Sequence, residues 1–397
     1  MPPRAVVIAA GEGKRMRPLT ATRPKCMLPV ANRPLLEFPI AVLASAGVRD
    51  VTIVVGYQAH VVRQRIGSGK ALGIDVIYAE QAEALGTGDA VRAAAPFAGE
   101  TIVANGDVIL PHDAVERLLR AKGNAIAAVE VPDARPYGAL RVSGGTLRGI
   151  EEKSPDPPSN LVNAGLYKLT PSALSHLDRI GRSPRGELEL TSAVNAAVEA
   201  GEPVHVVRLQ GPWMDLGRPW DLLSANERLL ANLRDDRAQA TIEPGVTIHG
   251  NVQIGKGTIL RAGTYVQGPV VIGDECDIGP NCYLRASTVI GNRCRVGNGV
   301  EIKNSLLMDG THVGHLSYVG DSVLGHDVNF GAGTITANLR HDGHTIAASH
   351  PDGRVDTGRR KFGCVCGDGV HTGIKTALNV GAVLQAGATT KPGEVVG

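Results

Sequence analysis

The sequence predicts two folds in series. An α/β domain with helices on both faces of a mostly parallel sheet occupies residues 1–220, and a parallel β-helix occupies 240–397, with a charged linker helix over 221–239 between them. Three observations carry this. Strand-like apolar runs alternate with helical patterns in the first half. Aliphatic residues recur every six positions in the second. The 397 residues exceed what one hydrophobic core ordinarily holds.

In the first half, Ala5-Val6-Val7-Ile8-Ala9 reads as a buried strand running into a glycine-rich turn. Leu35 to Ala46 reads as a helix stopped by Gly47, Val51 to Val55 as a strand, and His60 to Ile66 as a helix. Asp75 to Tyr78 and Thr101 to Ala104 read as further strands, the last ending at Asn105-Gly106-Asp107. Sheets of this kind bind ligands at the carboxyl ends of their strands. The glycine turn and Asp107 both lie at such ends.

In the second half, Ile242, Ile248, Ile254, Leu260, Val266, Ile272, Ile278, Leu284, Ile290, Val296 and Ile302 follow one another at intervals of six. A second register from Val246 to Val300 holds only small or β-branched residues, Cys276, Cys282 and Cys294 among them. A six-residue period fits neither an amphipathic helix nor a hairpin. It fits a coil whose short sides each bury one aliphatic and one small residue. The three cysteines are therefore expected in the core, not on a metal. Gly255, Gly273, Gly279, Gly291 and Gly297 follow the aliphatic position and are expected to supply permissive backbone at the corners. Arg218 to Gln239, with leucines at helical spacing, reads as the linker helix.

Composition narrows the function. Net charge is +2 and aromatic content 3%, so neither a broad basic platform nor base-stacking strips for nucleic acid are expected. No apolar run reaches membrane-spanning length, and the N-terminus lacks a basic, apolar, small-residue leader pattern. A cytoplasmic protein with six free thiols is the expectation.

Chemistry concentrates at two places. The first is Ala9-Ala10-Gly11-Glu12-Gly13-Lys14-Arg15-Met16, with Arg17, Arg23 and Lys25 close behind. It is neither a Walker loop nor a complete dinucleotide fingerprint. Glycine-turn amides with nearby cations suit a polyphosphate. This run, continued by Leu28-Pro29-Val30, resembles the opening signature of sugar-1-phosphate nucleotidylyltransferases. Glu80-Gln81, Leu85-Gly86-Thr87-Gly88, Asn105-Gly106-Asp107, Tyr137-Gly138, Glu151-Glu152-Lys153, Asn163-Ala164-Gly165 and Trp213-Met214-Asp215-Leu216-Gly217 resemble that family's later segments, in order. The resemblance implies a Rossmann-like fold and a sugar phosphate oxygen attacking the α-phosphorus of UTP or dTTP. Asp107 and Asp215 would hold Mg²⁺. Lys25 and Arg15 would contact phosphates as catalytic groups. Ala10, Gly11, Gly13, Gln81, Gly86 and Thr87 would bind the nucleotide. Gly138, Glu152, Lys153 and Asn163 would hold the sugar phosphate, with Glu151 an alternative to Glu152. N-acetylglucosamine 1-phosphate and glucose 1-phosphate are both reasonable acceptors. Lys14 stands where many relatives have Thr.

The second place is Val313-Gly314-His315-Leu316-Ser317-Tyr318-Val319-Gly320-Asp321, followed by Asn329-Phe330-Gly331-Ala332-Gly333-Thr334-Ile335-Thr336-Ala337-Asn338. Together these resemble the acetyltransferase half of the bifunctional N-acetylglucosamine-1-phosphate uridylyltransferase/glucosamine-1-phosphate acetyltransferases. Gly358-Arg359-Arg360-Lys361-Phe362-Gly363 looks closer to the archaeal members. The resemblance implies a left-handed β-helix, a homotrimer, acetyl-CoA as co-substrate and His315 as base. Arg285 and Lys303 would contact the sugar phosphate, Tyr318, Asn329 and Asn338 the amino sugar and acetyl group, and Ala332 the CoA. The sequence ends at Gly397 without the basic arm of bacterial members, so contacts made by that arm would be absent or replaced. The alternative is a monofunctional nucleotidylyltransferase whose β-helix serves only assembly or regulation.

Overall fold

The computed structural model describes residues 3–351 and 353–397. The chain falls into two compact units, residues 1–12, 23–27 and 34–215 in the first and 13–22, 28–33 and 216–397 in the second.

The first unit is built on a nine-stranded sheet. Its strands are β1 (Arg4–Ile8), β2 (Asp50–Val55), β3 (Asp75–Glu80), β4 (Thr101–Asn105), β5 (Asn124–Glu130), β6 (Gly138–Ser143), β7 (Thr146–Glu152), β8 (Leu161–Leu169) and β9 (Val204–Arg208), and the order is β3-β2-β1-β4-β8-β5-β9-β7-β6. The first four strands are parallel, as the alternating pattern predicts. The sheet as a whole is mixed, because β8 runs antiparallel to both β4 and β5, and β7 antiparallel to β6 and β9. The β6–β7 hairpin needs only Gly144-Gly145 for its turn, and no crossover helix signals it in the sequence.

Both faces of the sheet are covered. Val7, Ile53 and Ile102 pack on the side of α1 (Glu37–Ser45), α2 (Ala59–Ile66) and α4 (Ala114–Arg120). Val6, Val54 and Val103 pack on the side of α3 (Thr87–Arg92), α5 (Pro171–Ser175) and α6 (Leu190–Glu199). Burial on both faces is why these strands are continuous apolar runs.

The second unit contains a parallel β-helix whose three faces are sheets of six, eight and seven strands. Partners on successive coils lie 18 residues apart, as in Val252↔Val270 and Ile272↔Ile290. Both six-residue registers point inward: Leu260, Val266, Ile278 and Leu284 are fully buried, as are Thr258, Thr264 and Thr288. Cys276, Cys282 and Cys294 belong to this core, and every cysteine in the chain is a free thiol. Burial pushes the Cys282 thiol up to about 12.

Two expectations need correcting. First, of the five glycines that follow the aliphatic position, only Gly279 has a positive φ, 113°. The left-handed corners fall just before each small inward residue, at Gly257, Gly263 and Gly299 and also at Glu275, Asn281, Ser287 and Arg293. The five glycines are there for close approach between coils. A Cβ on Gly273 would lie 2.7 Å from the Gly291 backbone, and one on Gly297 would overlap the Gly314 carbonyl oxygen. Second, the helix expected over 221–239 is the ten-residue α7 (Asp221–Leu230), and Asp236 already pairs with Gln253 of the β-helix.

The period also changes. After Ile302 the next aliphatic member of the β-helix core is Leu307, and after Val319 it is Leu324. Partners there are 17 residues apart, as in Ile290↔Leu307 and Leu307↔Leu324. Each shortened corner keeps a left-handed residue, Asn304 in one and Asp321 in the other. Beyond Asn338 the chain leaves the coil in an excursion whose strands Ala347–His350 and Gly353–Asp356 pair antiparallel. It returns at Cys364–Cys366, in register with Val323 and Leu324.

Candidate active sites

In the first unit, Ala10 and Gly11 follow β1, and Asp107 follows β4. The turn before Asp107 is tight: a Cβ on Gly106 would sit 2.6 Å from the Ile8 carbonyl oxygen. Beyond it, Val108–Ile109 pairs antiparallel with Met214–Asp215, setting Asp215 opposite Val108. This ribbon brings two distant carboxylates to one amine. Lys25 Nζ donates to Asp107 Oδ2 at 2.8 Å and to Asp215 Oδ1 at 3.4 Å. Lys25 is buried, while both carboxylates keep about a third of their side chains exposed, 32% and 30%. Gly13 and Arg15 lie in the second unit, where Gly13 takes the left-handed conformation ahead of the short 3₁₀ turn Lys14–Met16.

Glu152 ends the strand β7, Lys153 follows it, and Gly138 begins the partner strand. Alternation sends the two glutamates to different surroundings. Glu151 pairs with Arg141 on the exposed side. Glu152 lines a cavity of about 490 Å³ with Arg179, Arg182, Arg185, Glu189 and Asn195. Burial holds the Glu152 carboxyl above the ordinary range, Glu189 adds to this, and a hydrogen bond from Thr191 opposes it. Gly138 leaves room for Glu152, since a Cβ there would lie 2.8 Å from Glu152 Oε1. Asn163 sits where the β5–β8 register slips, and its Oδ1 accepts from the Gly165 amide at 2.9 Å.

Gln81 follows β3, and Gly86 and Thr87 open α3. Gln81 lines a second cavity of about 490 Å³ with Glu80, Leu85, Asp89 and Arg92. Gly86 is closely packed: a Cβ there would come within 2.4 Å of the Leu188 carbonyl oxygen. Thr87 Oγ1 accepts from the Leu190 amide at 3.0 Å.

On the β-helix the shortened corners organise the polar groups. Asp321, 1% exposed, accepts from Lys303 Nζ at 2.8 Å, Asn338 Nδ2 at 2.6 Å and Asn304 Nδ2 at 2.8 Å. Asn338 Nδ2 also donates to Tyr318 Oη at 3.1 Å. Burial raises the Tyr318 phenol, and the Asp321 charge adds to this. Asn304 in turn meets Glu227 of α7 at 2.7 Å, and Arg359 pairs with the same carboxylate. Arg285 is one coil back on the same face, paired with Glu301.

The remaining β-helix residues lie elsewhere within the chain. Asn329 belongs to the six-stranded face, His315 is exposed at the corner between that face and Tyr318, and Ala332 follows Asn329 at the next corner. Lys303, Tyr318 and Asn338 are thus brought together, with Arg285 nearby, while His315, Asn329 and Ala332 stand apart from them.

Four side chains escaped the sequence reading: Asp89 beside Gln81, Arg185 beside Glu152, and Asn304 and Asp321 at the shortened corners. The loss of one residue from the period after Ile302 was a legible signal for the last two. Arg185 lies in an irregular turn with no periodicity to mark it.

A buried lysine between two strand-end carboxylates, at the carboxyl edge of the sheet, is the arrangement of an enzyme that handles phosphate-bearing groups, here with a β-helix carrying a polar cluster of its own. The Nucleotidyl transferase family matches residues 4–232, and the GMPPB C-terminal domain matches 266–391. A "Bifunctional sugar-1-phosphate nucleotidylyltransferase/acetyltransferase" of Sulfurisphaera tokodaii is 39% identical over 99% of this chain and 97% of its own. A "Bifunctional protein GlmU" of Methanococcus maripaludis is 42% identical over 95% of this chain and 90% of its own, and that of Methanocaldococcus jannaschii 38% over the same shares. The chain belongs to the bifunctional sugar-1-phosphate nucleotidylyltransferase/acetyltransferase family.

Proposed function

We propose that this enzyme transfers a nucleotidyl group from UTP or dTTP to a sugar 1-phosphate, releasing pyrophosphate, and acetylates an amino-sugar 1-phosphate with acetyl-CoA. The observation that carries the first activity is Lys25 held between Asp107 and Asp215. That of the second is the Lys303–Asp321–Asn338 cluster.

In nucleotidyl transfer both reactants are anions, so alignment and charge neutralisation outweigh acid–base work. Lys25 and Arg15 balance phosphate charge. Ala10, Gly11 and Gly13 let backbone approach the triphosphate, and Gln81, Gly86 and Thr87 hold the nucleoside. Gly138, Glu152, Lys153 and Asn163, with Arg185, bind the acceptor. The donor set suits Mg²⁺: two hard, part-exposed carboxylates meet at a point where a cation, the Lys25 ammonium, already sits. Asp107 and Asp215 would hold the ion, which supplies charge neutralisation and orientation of the phosphates.

In acetyl transfer the amine attacks the thioester carbon, His315 takes its proton, and the CoA thiolate leaves and is protonated. Arg285 and Lys303 bind the sugar phosphate, Tyr318, Asn329 and Asn338 the amino sugar and acetyl group, and Ala332 lies against CoA. Because these residues are spread over two faces and a corner, a site completed by a neighbouring copy is the natural reading. Tyr265, Ile335 and Val395 expose 41, 45 and 73% of their surface on the eight-stranded face, and this supports a homotrimer. We assign residues 1–220 to nucleotidyl transfer, 221–239 to the linker and 240–397 to acetyl transfer, in a cytoplasmic enzyme without nucleic-acid or membrane partners. Among the described residues no helix is long and apolar enough to cross a membrane.

The test is one preparation and two assays, pyrophosphate release and free-thiol release with glucosamine or galactosamine 1-phosphate. Asp107→Asn is expected to abolish the first and spare the second, and His315→Ala the reverse. Intact trimer that releases no thiol would overturn the acetyltransferase reading.

A further inference from the structure

The structure assigns to Asp89 the choice of base: it fixes the direction in which Gln81 presents its amide, and so selects a ring that offers an N–H. This role rests on the reading that Gln81 faces the nucleoside. Gln81 is 7% exposed, and its Nε2 donates to Gly86 O at 3.0 Å and to Asp89 Oδ2 at 2.8 Å. A primary amide has two hydrogens, and both are taken. The backbone carbonyl and the carboxylate can only accept, so the reversed amide would set its oxygen against two acceptors. The chemistry of the neighbours therefore fixes the orientation. Asp89 is itself braced by Arg92 at 2.5 Å.

With both donors committed, the group Gln81 offers to its cavity is the Oε1 acceptor, which makes no hydrogen bond among the described residues. Uracil and thymine present N3–H to such an acceptor. Cytosine presents a bare N3, and adenine a bare N1. Against these, two lone pairs would face each other in a buried site, an arrangement that discriminates far more strongly than a missing apolar contact. Asp89 is thus a positioning residue for specificity. The competing reading is that it only stabilises the first turn of α3 as an acidic residue near a helix start.

UTP and CTP are the matched probes, because they differ only along this edge. Pyrophosphate release by the full-length enzyme with glucose 1-phosphate is expected to favour UTP over CTP by roughly 100-fold or more in kcat/KM. In Asp89→Asn the new side chain can donate to a reversed Gln81 amide, only the Gly86 carbonyl then opposes reversal, and the ratio is expected to fall at least tenfold. A purely structural role would lower both nucleotides together and leave the ratio unchanged; that result, or a native enzyme that uses CTP as readily as UTP, overturns the proposal. Gln81→Leu separates the two levels. If it leaves the ratio untouched, the reading of Gln81 itself falls. If it collapses the ratio while Asp89→Asn does not, Asp89 alone is excluded. Thiol release by the same preparation reports folding, and Asp89→Ser, smaller than the native side chain, answers the question should the Asn variant not fold.

Discussion

Lys303 and Asn338, on different coils of the β-helix, donate to the same oxygen of Asp321. Its other oxygen takes Asn304. One buried carboxylate with three donors therefore ties the proposed phosphate contact to the proposed acyl contact, and both are positioned by the same group. Asp321→Asn replaces one acceptor oxygen by a donor and leaves at least one of the three facing another donor. Asn tolerates the left-handed backbone at this position, so the fold is expected to survive. We expect acetyl transfer to fall by about 10- to 100-fold in kcat/KM, from one lost charged hydrogen bond and one unsatisfied group, with pyrophosphate release unchanged in the same preparation.

Lys25 stands between two carboxylates that attract each other only through a cation. Lys25→Met leaves Asp107 and Asp215 without the ammonium and the phosphates without its charge. Nucleotidyl turnover is expected to drop by about 10²-fold or more, the scale of losing one preorganised electrostatic contact. The Mg²⁺ concentration giving half-maximal rate should fall, because the carboxylates are freed. A Mg²⁺ titration of both proteins checks this, and an unchanged midpoint counts against Lys25 as neighbour of the ion.

Glu152 supplies a pH prediction. Burial raises its carboxyl, so the folded protein keeps this proton to a higher pH than the unfolded chain does. The sign follows. Stability from this group is full below the ordinary carboxyl range and declines as pH rises through the raised value. Glu152→Gln should therefore melt higher than the native protein at pH 7.5, with the gain vanishing towards pH 4.5. The native KM for sugar 1-phosphate should rise as acid protonates Glu152, whereas the Gln variant should start higher and stay flat. Melting curves and KM measured across pH 4.5–8 decide it.

Leu284 and Cys282 occupy the two inward registers of one short side and differ in what replaces them. Leu284→Ala opens a cavity in a fully buried rung and is expected to cost about 2–5 kcal/mol. Cys282→Val keeps a small apolar group where Val and Thr serve elsewhere, and is expected to cost less than about 1.5 kcal/mol. Chemical denaturation of the two variants checks the order. A larger loss from Cys282→Val would assign the thiol more than packing.

Periodicity made most of the fold legible, and its limits are physical. The six-residue count could be followed to Ile302 because every coil up to there has the same length, and it failed where a corner loses a residue. The cysteines were placed correctly because a rung position asks only for size. The antiparallel half of the sheet was not legible, since a hairpin closed by two glycines carries no helical interval. At the proposed sites, residue type and order singled out Asp107, Asp215 and Lys25, and the fold brings these three side chains together. That Glu152 faces the cavity and Glu151 faces Arg141 needed the alternation of β7, which only the paired strands show. Asp89 and Arg185 meet Gln81 and Glu152 through contacts that only folding supplies.

The excursion after Asn338 shows how the coil tolerates interruption. Leu324 and Cys366 are 42 residues apart, yet they pair as though one ordinary turn separated them. Closing a longer surface loop costs only a fraction of a kcal/mol for each doubling of its length. The rungs on either side hold their register through their own hydrogen bonds and core. That corner is accordingly a natural graft point: a spacer, an epitope or a reporter domain inserted in the excursion should leave the melting temperature of the coil nearly as it is.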